Sequence, residues 1–313
     1  MKNMSISIID MGSARIKQLI SKELNGNIVI SNFKEETKLS SYLINDNISD
    51  EGIDILFSSL KSCIERIRDN GVSNYIVVAT EIFRKAKNGF EILSNIKNQL
   101  NCTPNLLDPK IEGEIFFESI NNKMGINESE SCLIDVGGGS VQIIYRNNTS
   151  IISSIGTGTF FLEKQFQGKF PASSSELDMM KVFVKEELQK AIPISSSKKI
   201  LIFGSNCMED FIKSSLNRLG KNDSFGKYTI EDIQYLFDNI ILKEFDDIKN
   251  YYPENQGFMY GADKALLNVL VIAEFFKSDY IIPTNESVST GLAYLAINNS
   301  EYLFKNGIEI SAI

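Results

Sequence analysis

Leu133-Ile134-Asp135-Val136-Gly137-Gly138-Gly139-Ser140-Val141-Gln142 decides how this chain is read. The apolar run over residues 132–136 predicts a buried strand that carries a single charge, Asp135. Three glycines follow at once, and residues 141–145 resume an apolar strand. Consecutive glycines let the backbone turn without a Cβ penalty and bring N–H groups close to an anion. Ser140 adds a hydroxyl donor, and Asp135 stands where a carboxylate can hold a hydrated Mg²⁺ beside phosphates. An ordinary glycine-rich hairpin has the same composition, so phosphate binding needs support from elsewhere in the chain.

That support comes from a second copy 125 positions earlier, Asp10-Met11-Gly12-Ser13. Residues 5–9, 16–20 and 27–33 read as a strand meander with turns at Gly12-Ser13 and Asn25-Gly26. Apolar residues at 53, 56, 60, 64 and 67 predict an amphipathic helix over 49–70, with Ser49 as N-cap and Gly71 past its end. A strand over 75–79 and helices over 89–100 and 112–124 complete the first half. The order then restarts: strands over 132–136, 141–145, 149–155 and 199–203, helices over 177–191, 230–241 and 260–276, a strand over 280–283 and a helix over 287–297. A strand ending in Asp-x-Gly, a meander and helix–strand alternation thus occur twice. Duplication predicts two similar α/β domains facing each other across a cleft, residues 1–126 and 127–313, with the boundary in the polar stretch 125–130.

Composition narrows the chemistry. The 313 residues are 43% hydrophobic and 23% charged, a globular profile, and the net charge of −8 argues against nucleic acid as a partner. There is no histidine, which excludes histidine-based zinc sites, Ser-His-Asp triads and phosphohistidine chemistry. Proton transfer falls to carboxylates, Lys, Tyr, Cys or water. The four cysteines form no CxxC pair and read as reduced, buried thiols of a cytoplasmic protein. The N-terminus does not read as a signal peptide, and the longest apolar stretch, 265–276, is too short to span a bilayer, so no membrane partner is expected.

Two further turns, Gly156-Thr157-Gly158-Thr159 and Gly204-Ser205-Asn206, follow buried strands; each reads as plain turn chemistry more readily than as a ligand loop. Lys110-Ile111-Glu112-Gly113-Glu114 offers two carboxylates in a first helical turn, where the macrodipole alone favours Glu.

Taken in order, these blocks resemble the exopolyphosphatase and guanosine pentaphosphate phosphohydrolase (Ppx/GppA) family of the sugar kinase/actin superfamily, in its short two-domain form. The carrying stretches are IIDMGS (8–13), VVATEIFRKAKNG (77–89), LIDVGGGSVQ (133–142), GTGTFFLEKQF (156–166) and, loosely, YGADKALLNVLVIAEFF (260–276). The resemblance implies two actin-like, ribonuclease H-like domains. It implies Glu112 as catalytic base, Asp135 as Mg²⁺ ligand, and phosphate contacts from Asp10, Gly12, Ser13, Arg15, Gly137, Gly138, Gly139 and Ser140. Arg84 is implied to contact phosphate or brace the cleft. The reaction implied is attack of water on a terminal phosphoryl group of inorganic polyphosphate or a guanosine polyphosphate, with Mg²⁺ as cofactor; a homodimer is left open.

The departures are specific. Ser13-Ala14-Arg15 stands for Ser-Asn-Ser, Glu114 for an arginine, Gln142 for a glutamate, Gly204-Ser205-Asn206 for Gly-Gly-Thr, and Ala293 for an arginine. A carboxylate at 114 is expected to raise the pKa of Glu112 or repel an anionic substrate if the two side chains face each other. Ala14, Glu114, Gln142 and Ala293 motivate one alternative, a regulator that binds polyphosphate or nucleotide with weakened catalysis. A phosphotransferase using the same superfamily cleft is a further alternative, to which Ser205-Asn206 lends little support.

Overall fold

The computed structural model describes residues 5–24, 27–127, 130–147, 149–192, 200–205, 207–221 and 226–312. The chain divides into two compact units. The first comprises Met1–Lys123 and Val288–Ile313, the second Met124–Ser287. The first break falls near the expected boundary. The second corrects the expected domain 127–313: the last helix and tail belong to the first unit.

In the first unit, β1 (Ile6–Met11), β2 (Arg15–Leu24) and β3 (Asn27–Glu36) form an antiparallel meander. The short strands β4 (Leu43–Ile44) and β5 (Asn47–Ile48) precede α1 (Asp50–Asp69). Ser49 caps α1 by accepting the Gly52 N–H, and Gly71, at φ +61°, takes the left-handed position past its end. Then come β6 (Asn74–Ala79), α2 (Glu81–Lys85), α3 (Gly89–Leu100), β7 (Pro104–Leu106) and α4 (Pro109–Met124). β6 lies parallel to β1 and β7 parallel to β6.

The second unit repeats the plan. β8 (Ser131–Val136), β9 (Val141–Asn147) and β10 (Thr149–Ile155) are the meander, followed by α5 (Thr159–Phe166) and α6 (Ser174–Ala191). β11 (Ile200–Gly204) lies parallel to β8 and leads into α7 (Met208–Arg218). β12 (Tyr228–Thr229), α8 (Ile230–Ile240), α9 (Phe245–Ile248), α10 (Ala262–Phe276) and β13 (Tyr280–Thr284), parallel to β11, complete it. Strand order runs β3-β2-β1-β6 with β7 beyond, and β10-β9-β8-β11-β13-β12. The same five-strand order in both units is the duplication read from the two Asp-x-Gly stretches.

The chain then returns to the first unit as α11 (Val288–Asn298), α12 (Ser300–Lys305) and β14 (Ser311–Ala312), which pairs antiparallel with β6. Buried Asn105 fastens this tail: its Nδ2 donates to the carbonyls of Val77 and Glu309, and its Oδ1 accepts the Glu309 N–H at 2.8 Å. Gly291 in α11 lies so close to α4 that a Cβ there would sit 2.3 Å from the Ile115 carbonyl oxygen.

Two boundaries differ from the sequence reading for local reasons. α4 starts at Pro109 instead of Glu112, because Asp108 accepts the Lys110 N–H on its side chain and the Glu112 N–H on its carbonyl. Tyr260 belongs to a 3₁₀ segment, Pro253–Gly261, that precedes α10. α10 is buried on nearly every face, including Asp263, Lys264 and Asn268. The turn at Asn25-Gly26 and residues 199 and 206 lie outside the described residues. All four cysteines are buried and none is in a disulfide; burial pushes the Cys63 thiol up to about 11 and Cys102 up to about 12. No helix among the described residues is long and apolar enough to cross a membrane.

Candidate functional site: two amide-bearing loops and a braced glutamate

Both hairpins that follow an Asp-x-Gly strand close in the same way. Gly12 N–H donates to the Arg15 carbonyl at 3.1 Å, and Gly137 N–H to the Ser140 carbonyl at 3.0 Å. Met11 pairs with Ile16 and Val136 with Val141, so four residues span each turn. Asp10 and Asp135 then occupy equivalent positions, opposite Lys17 and Gln142 respectively.

The carbonyls of each loop are held from behind by the segment that leaves the third strand. Lys38 N–H donates to the Ala14 carbonyl at 2.7 Å and Ser40 N–H to the Ser13 carbonyl at 3.0 Å. In the second unit, Thr159 N–H donates to Gly137, and Phe160 and Phe161 N–H both donate to Gly138. With the carbonyls so engaged, the N–H groups of Ser13 and Ala14, and of Gly138 and Gly139, donate no hydrogen bond among the described residues. Backbone amides left without a protein acceptor in half-buried turns are able to donate to an anion.

The Gly156–Thr159 turn, expected to be plain turn chemistry, is therefore part of the second loop's construction. A Cβ on Gly158 would lie 2.5 Å from the carbonyl carbon and oxygen of Gly138 and 2.5 Å from the carbonyl carbon of Gly139. Only a glycine permits that backbone-on-backbone contact.

Asp10 carries the clearest electrostatic signature. Its Oδ1 is buried without a hydrogen-bond partner. Burial raises its pKa above the usual carboxylate value, and the Lys17 ammonium opposes the rise. Lys17, which the sequence reading did not single out, makes no hydrogen bond or ion pair among the described residues. Its signal was available: it stands as far beyond the turn as Asp10 stands before it, so hairpin register sets the two opposite each other on one face. Gln142 holds the corresponding place opposite Asp135, buried, with Oε1 unpartnered.

Glu112 is buried near the start of α4. Arg84, from α2, donates to Glu112 Oε2 at 3.2 Å and also to the Leu107 carbonyl. Arg84 is thus a brace for the glutamate. Glu114 is turned elsewhere: its Oε2 accepts the Tyr302 hydroxyl at 2.8 Å. Residues two apart on a helix do not share a face, so the expected repulsion between Glu112 and Glu114 has no geometric basis. Arg15 is drawn to its cross-strand neighbour Glu36 at 3.3 Å. Ala293, where an arginine was expected by resemblance, is buried in α11.

A profile of the Ppx/GppA phosphatase family matches residues 19–287. The chain belongs to the Ppx/GppA phosphatase family. The solved structures it resembles agree on the fold. The Aquifex aeolicus family member superposes with a TM-score of 0.75 at 20% identity, covering 97% of this chain and 99% of that one. An exopolyphosphatase from Cytophaga hutchinsonii gives 0.81 at 20% identity, covering 94% and 98%. An exopolyphosphatase-like protein gives 0.74 at 14% identity, covering 93% and 97%. The Ppx/GppA chain described here is accordingly a two-domain actin-like protein, and membership carries a phosphatase-type function.

Proposed function

We propose that this protein releases terminal phosphate from a phosphoanhydride chain, either inorganic polyphosphate or a guanosine pentaphosphate-like nucleotide. The observation that carries this reading is the pair of loops with their carbonyls tied back and their amides unspent, a construction suited to phosphate groups and found twice in one chain. In this reading Gly12, Ser13 and Lys17 of the first unit offer one phosphate subsite, and Gly137, Gly138, Gly139 and Ser140 of the second unit offer another. Glu112 orients the attacking water and takes its proton, and Arg84 keeps the carboxylate in one orientation. Arg15, shared with Glu36, contributes positive potential.

A divalent cation fits the residues present. Among the described residues no three Asp, Glu or Cys side chains form a cage. Mg²⁺ needs none, because it binds through one or two carboxylates, waters and substrate oxygens. Asp135, at the end of β8 and before the glycine loop, is the carboxylate that would hold it. When bound, the ion supplies charge neutralisation on phosphoryl oxygens.

The test is phosphate release from tripolyphosphate, long-chain polyphosphate and guanosine pentaphosphate, with and without Mg²⁺, with Glu112→Gln as the blank. Release that requires both Mg²⁺ and Glu112 supports the hydrolase. Tight binding without release by the wild type would overturn it in favour of a regulator, and transfer of phosphate to a sugar or carboxylate would favour a phosphotransferase.

A further inference from the structure

Asn268 lies in the middle of α10, fully buried on a helix whose neighbouring positions are apolar. Its Nδ2 donates to two carbonyls: Lys264, one turn back on its own helix, at 3.0 Å, and Thr157, in the turn behind the second glycine loop, at 2.9 Å. Its Oδ1 is buried and accepts nothing among the described residues. Burying an amide with half of its hydrogen-bonding capacity unmet costs free energy that an apolar residue would not incur. What the side chain provides in return is its donor, and among the described residues the only hydrogen bond that donor makes beyond its own helix is to the Thr157 carbonyl.

Thr157 is followed directly by the Gly158 backbone pressed on Gly138 and Gly139, and then by the three N–H groups that hold the Gly137 and Gly138 carbonyls. A bond at Thr157 therefore fixes where that supporting turn sits, and the turn fixes which way the loop amides point. We infer that Asn268 is a positioning residue for the second phosphate loop, acting from α10 through the Thr157 carbonyl to keep the Gly138 and Gly139 amides turned outward. The inference rests on the proposed phosphate-binding role of that loop. It goes further by assigning the loop's geometry to a side chain that touches neither the loop nor its ligand.

Two variants test it. Asn268→Ala removes the donor altogether. Asn268→Ser keeps a hydroxyl that reaches the Lys264 carbonyl on the same helix and loses only the bond across to Thr157. Amide hydrogen exchange is followed by mass spectrometry, and inorganic tripolyphosphate is titrated into each protein by calorimetry. The expected result in both variants is exchange at least about fivefold faster at Thr159, Phe160 and Phe161, with residues 201–203 of the same unit unchanged. That local pattern supports the positioning role whether or not tripolyphosphate binds the wild type. If the wild type does bind it, affinity should fall roughly five- to tenfold in both variants, the worth of one such bond. Unchanged exchange at 159–161 overturns the inference, and so does equal acceleration at 201–203, which would make Asn268 a general stabiliser. Wild-type protein that ignores tripolyphosphate, with local exchange still released in the variants, would remove the phosphate-binding reading and leave the mechanical link standing.

Discussion

Tyr302 donates its hydroxyl to Glu114, so a carboxylate in α4 is satisfied by the helix that returns at the end of the chain. The charge that looked hostile to an anionic substrate is thereby committed to packing within the first unit. Tyr302→Phe should lower stability by about 1–2 kcal/mol, at and below the low end of the range for a hydrogen bond to a charged group because the site is only partly buried. Glu114→Gln, which still accepts the hydroxyl, should cost less than half of that. Urea unfolding of the two variants provides the comparison, and equal costs would show that the bond is not what holds α12.

Glu112 and Arg84 should separate in kinetics. Glu112→Gln is expected to abolish turnover while tripolyphosphate affinity stays within about threefold of wild type. Arg84→Met leaves the glutamate buried without its guanidinium and frees the Leu107 carbonyl. Because both side chains retain some solvent contact, the stability cost should be about 2 kcal/mol, below that of a fully buried pair. The kinetic signature is a fall in kcat with a smaller change in KM. A variant that raises KM alone would make Arg84 a phosphate contact and not a brace.

The glycines of the Gly156–Thr159 turn are not equivalent. Gly158→Ala places a methyl group against immobile backbone and should cost about 2–3 kcal/mol, with loss of tripolyphosphate binding. Gly156 has open space around an added Cβ and no left-handed backbone, so Gly156→Ala should change stability by less than about 0.5 kcal/mol. Thermal unfolding and calorimetry on this pair test the loop's construction independently of catalysis.

Asp10 makes stability depend on pH in a definite direction. Its pKa in the folded chain is raised by burial, so across the window above the ordinary Asp value the folded state binds more protons than the unfolded state. Stability from this group therefore falls as pH rises through that window. Asp10→Asn should unfold a few degrees higher than wild type at pH 8, with the difference closing as pH approaches 4. A variant less stable than wild type at pH 8 would contradict the desolvated-carboxylate account.

Much of this architecture was legible in the chain, because the informative signals are local. The period of α1, its Ser49 cap and the two Asp-x-Gly hairpins are set by neighbouring residues. Other features depend on partners distant in sequence. Nothing near Gly158 indicates that it is pressed on Gly138, and nothing near Tyr302 names Glu114. Lys17 escaped notice because lysine on a strand reads as solvent-facing until hairpin register sets it opposite Asp10. α5 and α7 begin directly after glycine-containing turns whose residues suggest loops, and tertiary packing of Leu162, Phe211 and Ile212 decides them instead. The second domain boundary was missed for a related reason: helix α11 has the same apolar composition wherever it docks, and only the Gly291 contact with Ile115 and the pairing of β14 with β6 assign it.

That return of the tail has a consequence for how the protein is made. The second unit is an insertion in the first, so a ribosome finishes all of Met124–Ser287 before it adds the residues that complete the unit begun at the N-terminus. Until Glu309 emerges, buried Asn105 lacks two of its three hydrogen bonds, and the Asn74–Tyr75 end of β6 lacks the strand that pairs with it. The nascent first unit must wait, half-built, for Val288–Ile313, and termination before those residues would release a protein whose second unit is whole and whose first was never closed.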